Sequence, residues 1–246
     1  MELSRLSGGA SIYGSSAITE QVTAAARKPA ERLSQQAEST RVQLSAYGQL
    51  KSATAQVESA AKKLQDNSSL GSAADVTKTA KGFADAVNSE VKAANQAAQS
   101  SRNVRASREL RRAVEGFTAK DRNALSQAGI SFGQDGTMKV DTKKLEAAYQ
   151  ANPDQVKETL ARVGKAAAEV STKQVSDNGA VGGAINRLNE KLGTINQQQA
   201  NHQANLAQAQ KAVQEQERRA NELQQTASQQ AFGFNGVGAY NQVYYS

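Results

Sequence analysis

The sequence predicts a mainly α, elongated fold: an antiparallel helical bundle or coiled coil built from long N- and C-terminal helices, with one small β-hairpin element. Three observations carry this. First, of 246 residues 44 are alanine, against 42 for Leu, Ile, Val and Phe together. Alanine is the best helix former but buries little area, so the chain favours long helices with thin apolar seams over a thick core. Such helices are marginal alone and need partners. Second, apolar positions recur at alternating steps of three and four over two long stretches, which is the coiled-coil signal. Third, residues 129–156, GISFGQDGTMKVDTKKLEAAYQANPDQV, concentrate strand, turn and capping signals found nowhere else in the chain.

Residues 1–28 are rich in Gly and Ser at the start and read as a flexible segment, with Ile18, Val22 and Ala25 at helical spacing. Pro29 is best placed in the first turn of a helix, so the first long helix is expected over 29–64. Its seam is Leu33, Ala37, Thr40, Leu44 and Tyr47, then Leu50, Thr54, Val57, Ala61 and Leu64. The two runs join by an extra step of three at Gly48, which overwinds a seam locally. QDNSSLGS (65–72) interrupts. Helix resumes over 75–99, with Val76, Ala80, Phe83, Val87, Val91 and Ala94 on one face. A further stripe, Ala106, Leu110, Ala113 and Phe117, opposes Arg102, Arg105, Arg108 and Arg112.

Ile130–Phe132 and Thr137–Val140 read as two strands around the turn GQDG (133–136), whose two glycines suit positive φ. Asp141 reads as an N-cap for a helix through Leu145, Ala148 and Tyr149. Asn152 and Pro153 repeat the device for a helix that faces Val156 and Leu160 inward. SDNGAVGG (176–183) reads as a hinge or loop. From Ile185 a strict heptad seam runs through Leu188, Leu192, Ile195, Gln199, His202, Leu206, Ala209, Val213, Gln216, Ala220, Leu223, Ala227 and Gln230. The tail, 231–246, holds five of the eleven aromatic residues in a Gly-rich setting and reads as flexible rather than helical. Aromatic anchors of this kind also suit docking into a partner. The domain reading is therefore 1–28, then a helical leg or core over 29–230, then the tail.

The net charge of +7 suits nucleic acid, anionic lipid, an acidic protein face or merely a solvated helix surface. The absence of Cys excludes disulfides and thiolate chemistry, and a single His argues against a His-based metal site. No run approaches the roughly 20 apolar residues of a membrane span. The N-terminus lacks a cleavable leader, which suggests a cytosolic protein or export by a leaderless route. His202 lies on the heptad seam and has two readings: a pH-sensitive layer, or a polar position that sets register like Gln199 and Gln216. The Arg stripe could grip phosphate, but no aromatic residue interleaves with it. Asp135 and Asp141 are too few carboxylates for a calcium loop and read as turn and cap. No catalytic constellation, phosphate loop or cofactor motif is found, so the chain does not read as an enzyme.

Several stretches resemble the bacterial flagellar filament cap proteins, the hook-associated protein 2 family. RKPAERLSQQAESTRVQLSAYGQLKSATAQVESAAKKL (27–64) is similar to the family's first long helix, with Ser45, Ala46, Tyr47, Gly48, Gln49, Leu50, Lys51 and Ser52 at its core. GFADAVNSEVKAAN (82–95) resembles its Phe-Val-x-x-Tyr-Asn helix at Phe83, Val87 and Asn88. The most specific match is to the signature Gly-Ile-x-Phe-x-x-Asp-Gly-Thr-Leu-x-Leu-Asp. Gly129, Ile130, Phe132, Asp135, Gly136, Thr137 and Asp141 fall in register, followed by Leu145, Asn152 and Pro153. The resemblance spans roughly 17–230. Where the family carries large variable β-rich domains, this chain has only QDNSSLGSAADVTKTAK (65–81).

The resemblance implies a structural protein with no cofactor, metal or small-molecule substrate. It implies a ring-type homo-oligomer at the filament tip that promotes flagellin insertion and meets flagellin and hook–filament junction proteins. It also implies extracellular placement after leaderless passage, with a chaperone, through the flagellar type III export apparatus. Candidate assembly residues are Leu33, Leu44, Tyr47, Leu50, Val57 and Leu64 on the first long helix. On the last they are Ile185, Leu188, Leu192, Ile195, His202, Leu206, Val213 and Leu223. The alternatives are a coiled-coil adaptor, a secreted adhesin-like protein, or a basic scaffold binding nucleic acid through the Arg stripe.

Overall fold

The structure, a computed structural model, describes residues 10–101 and 105–243. It is mainly helical. α1 spans Ala10–Gln65, followed by a 3-10 turn at Asn67–Leu70 and α2 over Ala73–Ser101. Then come α3 (Arg105–Thr118), α4 (Arg122–Gln127), β1 (Ile130–Phe132), β2 (Met138–Val140), α5 (Thr142–Ala151), α6 (Pro153–Val175) and α7 (Ala180–Val243). The chain divides into two compact units, Met1–Gln36 with Thr194–Ser246, and Ala37–Gly193.

The expected start of the first long helix at Pro29 is corrected: α1 begins at Ala10 and passes through Pro29. A proline inside a helix withholds one N–H from the carbonyl four residues back and costs about 3 kcal/mol. Packing against α7 offsets this. Within the first unit the two helices run antiparallel, and His202 Nε2 lies 2.9 Å from Ala26 O, three residues before the proline. A carbonyl only accepts, so Nε2 carries the proton. The stretch expected to be an irregular tail also differs, since α7 continues through its glycines to Val243. Extending an existing helix adds one hydrogen bond per residue fixed, whereas starting one is costly. The 176–183 loop is shorter than expected, because α7 already begins at Ala180.

In the second unit most of the predicted seam of α1 is buried, with Leu44 and Tyr47 half-buried. Leu50, Val57, Ala61 and Leu64 are buried, with Thr40 and Thr54. Gly48, where the two seam runs join, is exposed. The whole predicted stripe of α2, Val76, Ala80, Phe83, Val87, Val91 and Ala94, enters the same core. Gly164 lets α6 approach α1 closely: a Cβ there would meet Ala61 O at 2.5 Å and Leu64 Cβ at 2.8 Å. Of the predicted third stripe, Ala113 is half-buried and the side chains of Ala106, Leu110 and Phe117 lie outside the described residues, while its neighbour Val114, which the stripe did not include, is buried.

β1 and β2 pair antiparallel, with Ile130 opposite Val140 and Phe132 opposite Met138. Alternation puts Ile130 and Met138 in the core and leaves Ser131 and Lys139 exposed. Gly136 takes φ 87° as expected, but the second glycine with positive φ is Gly129 (80°), not Gly133. Gly129 needs that backbone because a Cβ would meet Lys144 Cβ at 2.7 Å and Asp141 O at 2.9 Å.

Candidate assembly surface

The signature residues build the hairpin and the two helix starts behind it. Gly129 O accepts the Asp141 N–H at 2.8 Å, closing the ladder. In the turn, Gly133 N–H donates to Thr137 O at 2.8 Å. Asp135 Oδ1 accepts from the Thr137 hydroxyl at 2.7 Å and from its N–H at 3.1 Å. Those bonds, the hydroxyl first, hold the Asp135 carboxyl below its ordinary value. Asp141 caps α5 by accepting from Lys144 N–H at 3.1 Å. Asn152 caps α6 in the same way through Gln155 N–H at 3.1 Å, and Pro153 occupies the first turn. Each of these residues satisfies backbone groups or fixes a turn.

The hairpin is fastened to α2 by Asn88. Its Nδ2 donates to Met138 O at 2.9 Å, and its Oδ1 accepts from Met138 N–H at 2.7 Å. The ladder bonds flank Met138 at residues 137 and 141, so its own N–H and C=O point away from β1. The Asn88 amide meets them as a third strand's peptide would. Two further ties reach across the unit. Tyr149 Oη donates towards Leu70 O at 3.0 Å and Gly71 O at 3.2 Å. Arg162 grips Asp121 Oδ1 through Nε at 3.1 Å and Nη2 at 2.8 Å.

The candidate assembly residues fall into three groups. Leu50, Val57 and Leu64 are buried inside the second unit, as is Ile195 in the first. Leu33, Leu44, Tyr47, Ile185, Leu188, Leu192, His202 and Leu206 are half-buried along the two long helices. Val213 is 9% exposed, and beyond it the seam opens: Gln216, Ala220 and Ala227 are exposed, and Leu223 is 71% exposed. Gln230's side chain lies outside the described residues. Val42 on α1, 54% exposed, is a second uncovered apolar side chain, which seam spacing did not single out. Among the described residues the large apolar side chains left uncovered are therefore Val42 and Leu223.

Of the Arg stripe, Arg108 and Arg112 are exposed on α3; Arg102 and the side chain of Arg105 lie outside the described residues. Among the described residues no three carboxylate or imidazole groups gather as a metal site would require, and no helix is long and apolar enough to cross a membrane.

Two residues of consequence escaped the candidate set. Asn88 was marked only through the family likeness, and no pattern foretells its partner fifty positions away. Glu90 is only 2% exposed, and burial raises its carboxyl to about 7, opposed by the hydrogen bond with Thr54. Its position was readable: it sits three residues after Val87 and four before Ala94, on the apolar stripe.

A family model described as the flagellar hook-associated protein 2 C-terminus matches residues 50–235. No curated protein and no solved structure gives a significant match.

Proposed function

The chain belongs to the flagellar hook-associated protein 2 family, and from that premise we propose that it caps the growing filament as a ring of several copies and guides flagellin into place beneath it. A structural role of the filament-cap type follows from the family itself. The assembly step is our reading, as are the contacts with hook–filament junction proteins and the leaderless passage through the type III apparatus with a chaperone. The family match over residues 50–235 carries it, because that span takes in the hairpin, both capped helices and most of the C-terminal heptad seam. The exposed seam residue Leu223 of α7 supports it, since an apolar seam position left in solvent offers neighbours a place to pack.

On this reading the hairpin is a clamp. It joins α2 to the start of α5 within the second unit. No catalytic step is assigned to the chain.

The test is genetic. Cells lacking the protein are expected to shed monomeric flagellin and carry short or absent filaments, with motility restored by the wild-type chain. Normal filaments in the deletion strain sink the proposal. An adaptor role would instead leave filaments normal and give a stable cytosolic partner on copurification. A nucleic-acid scaffold would bind with steep salt dependence that weakens in an Arg105→Ala, Arg108→Ala double variant.

A further inference from the structure

Glu90 sits in the middle of α2 with almost no solvent contact, facing α1 at Thr54. The Thr54 hydroxyl lies 2.7 Å from Glu90 Oε1 and 2.9 Å from Leu50 O. Both separations are good hydrogen bonds. A hydroxyl has one proton, and Leu50 O can only accept. A single hydroxyl proton shared between two acceptors serves each poorly, and a second proton on Glu90 removes the competition. The carboxylic acid then donates to Thr54 Oγ1, and Thr54 donates on to Leu50 O.

Remove that proton and the chain must rearrange. The Thr54 O–H turns to the carboxylate, and Leu50 O is left with its helical N–H alone. One hydroxyl is far short of the donors a buried carboxylate needs. Among the described residues no cation is buried beside it. On α2 itself Asp75, Lys78, Lys81, Asp85 and Lys92 are exposed. On α1 in this unit Glu38, Arg41, Lys51, Lys62 and Lys63 are exposed, while Glu58 is half-buried and paired with Lys62 at 2.6 Å. On α3, Arg108, Arg112 and Glu115 are exposed and Glu109 is half-buried, while the side chains of Arg105 and Arg111 lie outside the described residues. Lys139 on β2 and Lys143, Lys144 and Glu146 on α5 are exposed.

The geometry points to a proton latch between α1 and α2: Glu90 is held as a neutral acid hydrogen-bonded to Thr54, and loss of its proton loosens the packing of the two helices. The latch is independent of the cap reading, since it concerns the base of the fold and not its partners. Its direction follows from which form the fold prefers. The folded chain holds this proton more tightly than the unfolded chain, with Glu90 at about 7 against an ordinary 4.5. The stabilisation is complete below the ordinary value and is lost as pH rises through about 7.

Two measurements on the full chain test it. In the wild type labelled with carbon-13 at the glutamate carboxyls, one resonance is expected to titrate near neutrality while the rest titrate in the ordinary range. If every glutamate carboxyl titrates in the ordinary range, the latch does not exist. The second is urea unfolding of wild type and Glu90→Gln at about pH 5 and about pH 8. The glutamine amide donates to Thr54 as the acid does but cannot ionise. Between the two pH values the unfolding constant of the wild type is expected to rise relative to the variant by on the order of a hundredfold. Parallel behaviour of the two proteins overturns the proposal. If the variant does not fold, the wild-type titration decides alone.

Discussion

Replacing Asn88 by Ala removes both hydrogen bonds that tie the hairpin to α2 and leaves Met138 N–H and C=O without partners beside a buried side chain. An unpaired backbone group in such a place costs about 1–3 kcal/mol. Asn88 is half-buried, so water reaches part of the vacated space, and the two losses together are expected to cost about 2–4 kcal/mol. Asn88→Asp is a sharper probe. It keeps an acceptor for Met138 N–H but sets a carboxylate oxygen against Met138 O, 2.9 Å from the present Nδ2. It is therefore expected to be at least as damaging as Ala near neutral pH and to recover when the new acid is protonated. The assay is urea unfolding followed by circular dichroism, with amide hydrogen exchange at Met138 as the local report. The variant should unfold at lower urea, with Met138 exchanging faster than Leu145 in the adjoining helix. If Asn88→Ala lies within about 0.5 kcal/mol of wild type and Met138 exchange is unchanged, the amide is not a surrogate strand and the reasoning fails.

Gly164→Val is expected to cost about 2–3 kcal/mol in the same assay, because its branched side chain meets Ala61 O and Leu64 Cβ at the closest approach of α6 to α1. Gly136→Ala forces a side chain into φ 87° and is expected to cost about 1–2 kcal/mol, seen as a lower thermal midpoint. His202→Leu removes the polar member of the seam that bonds Ala26 O. It is expected to leave α7 helical but to broaden the α1–α7 register, read as a wider distance distribution between spin labels on two introduced cysteines, since the chain has none of its own. Leu223→Asp is expected to leave unfolding within about 0.5 kcal/mol of wild type yet abolish filament capping in a complemented deletion strain. Full complementation would place the assembly contact elsewhere.

Where local chemistry decides, the sequence was legible. The apolar stripe of α2 entered the core without exception, and the heptad of α1 marked Leu50, Val57 and Leu64 as buried. Asp141, Asn152 and Pro153 act as caps because a side-chain oxygen before a helix, or a proline in its first turn, meets a need that exists before tertiary packing. Pro29 misled for the opposite reason. Its local cost argues for a helix start, but α7 lies alongside and a long-range contact outweighs the propensity. Spacing marked Leu223 as a seam residue but gave no means of telling that it stays uncovered while Val213 does not. Asn88 depends on a partner that only the fold brings within reach. Glu90 was the most readable omission: a carboxylate on an apolar stripe must find a donor, a cation or a proton, and spacing alone raised that question.

The turn between α1 and α2 has a consequence for how this fold accepts cargo. Asp66 caps the start of the 3-10 turn by accepting from Ser68 N–H at 2.9 Å, and Tyr149 pins the far side of the turn through the Leu70 and Gly71 carbonyls. The two helix ends are thus held in place by bonds around the connection rather than by its length. Lengthening such a connection adds little closure entropy, about 0.6 kcal/mol for each doubling. A module inserted in this connection is expected to leave the register of α1 and α2 unchanged wherever the Asp66 and Tyr149 bonds are kept. The same junction that joins two helices here in a single turn is a ready socket for grafting a display domain onto the base.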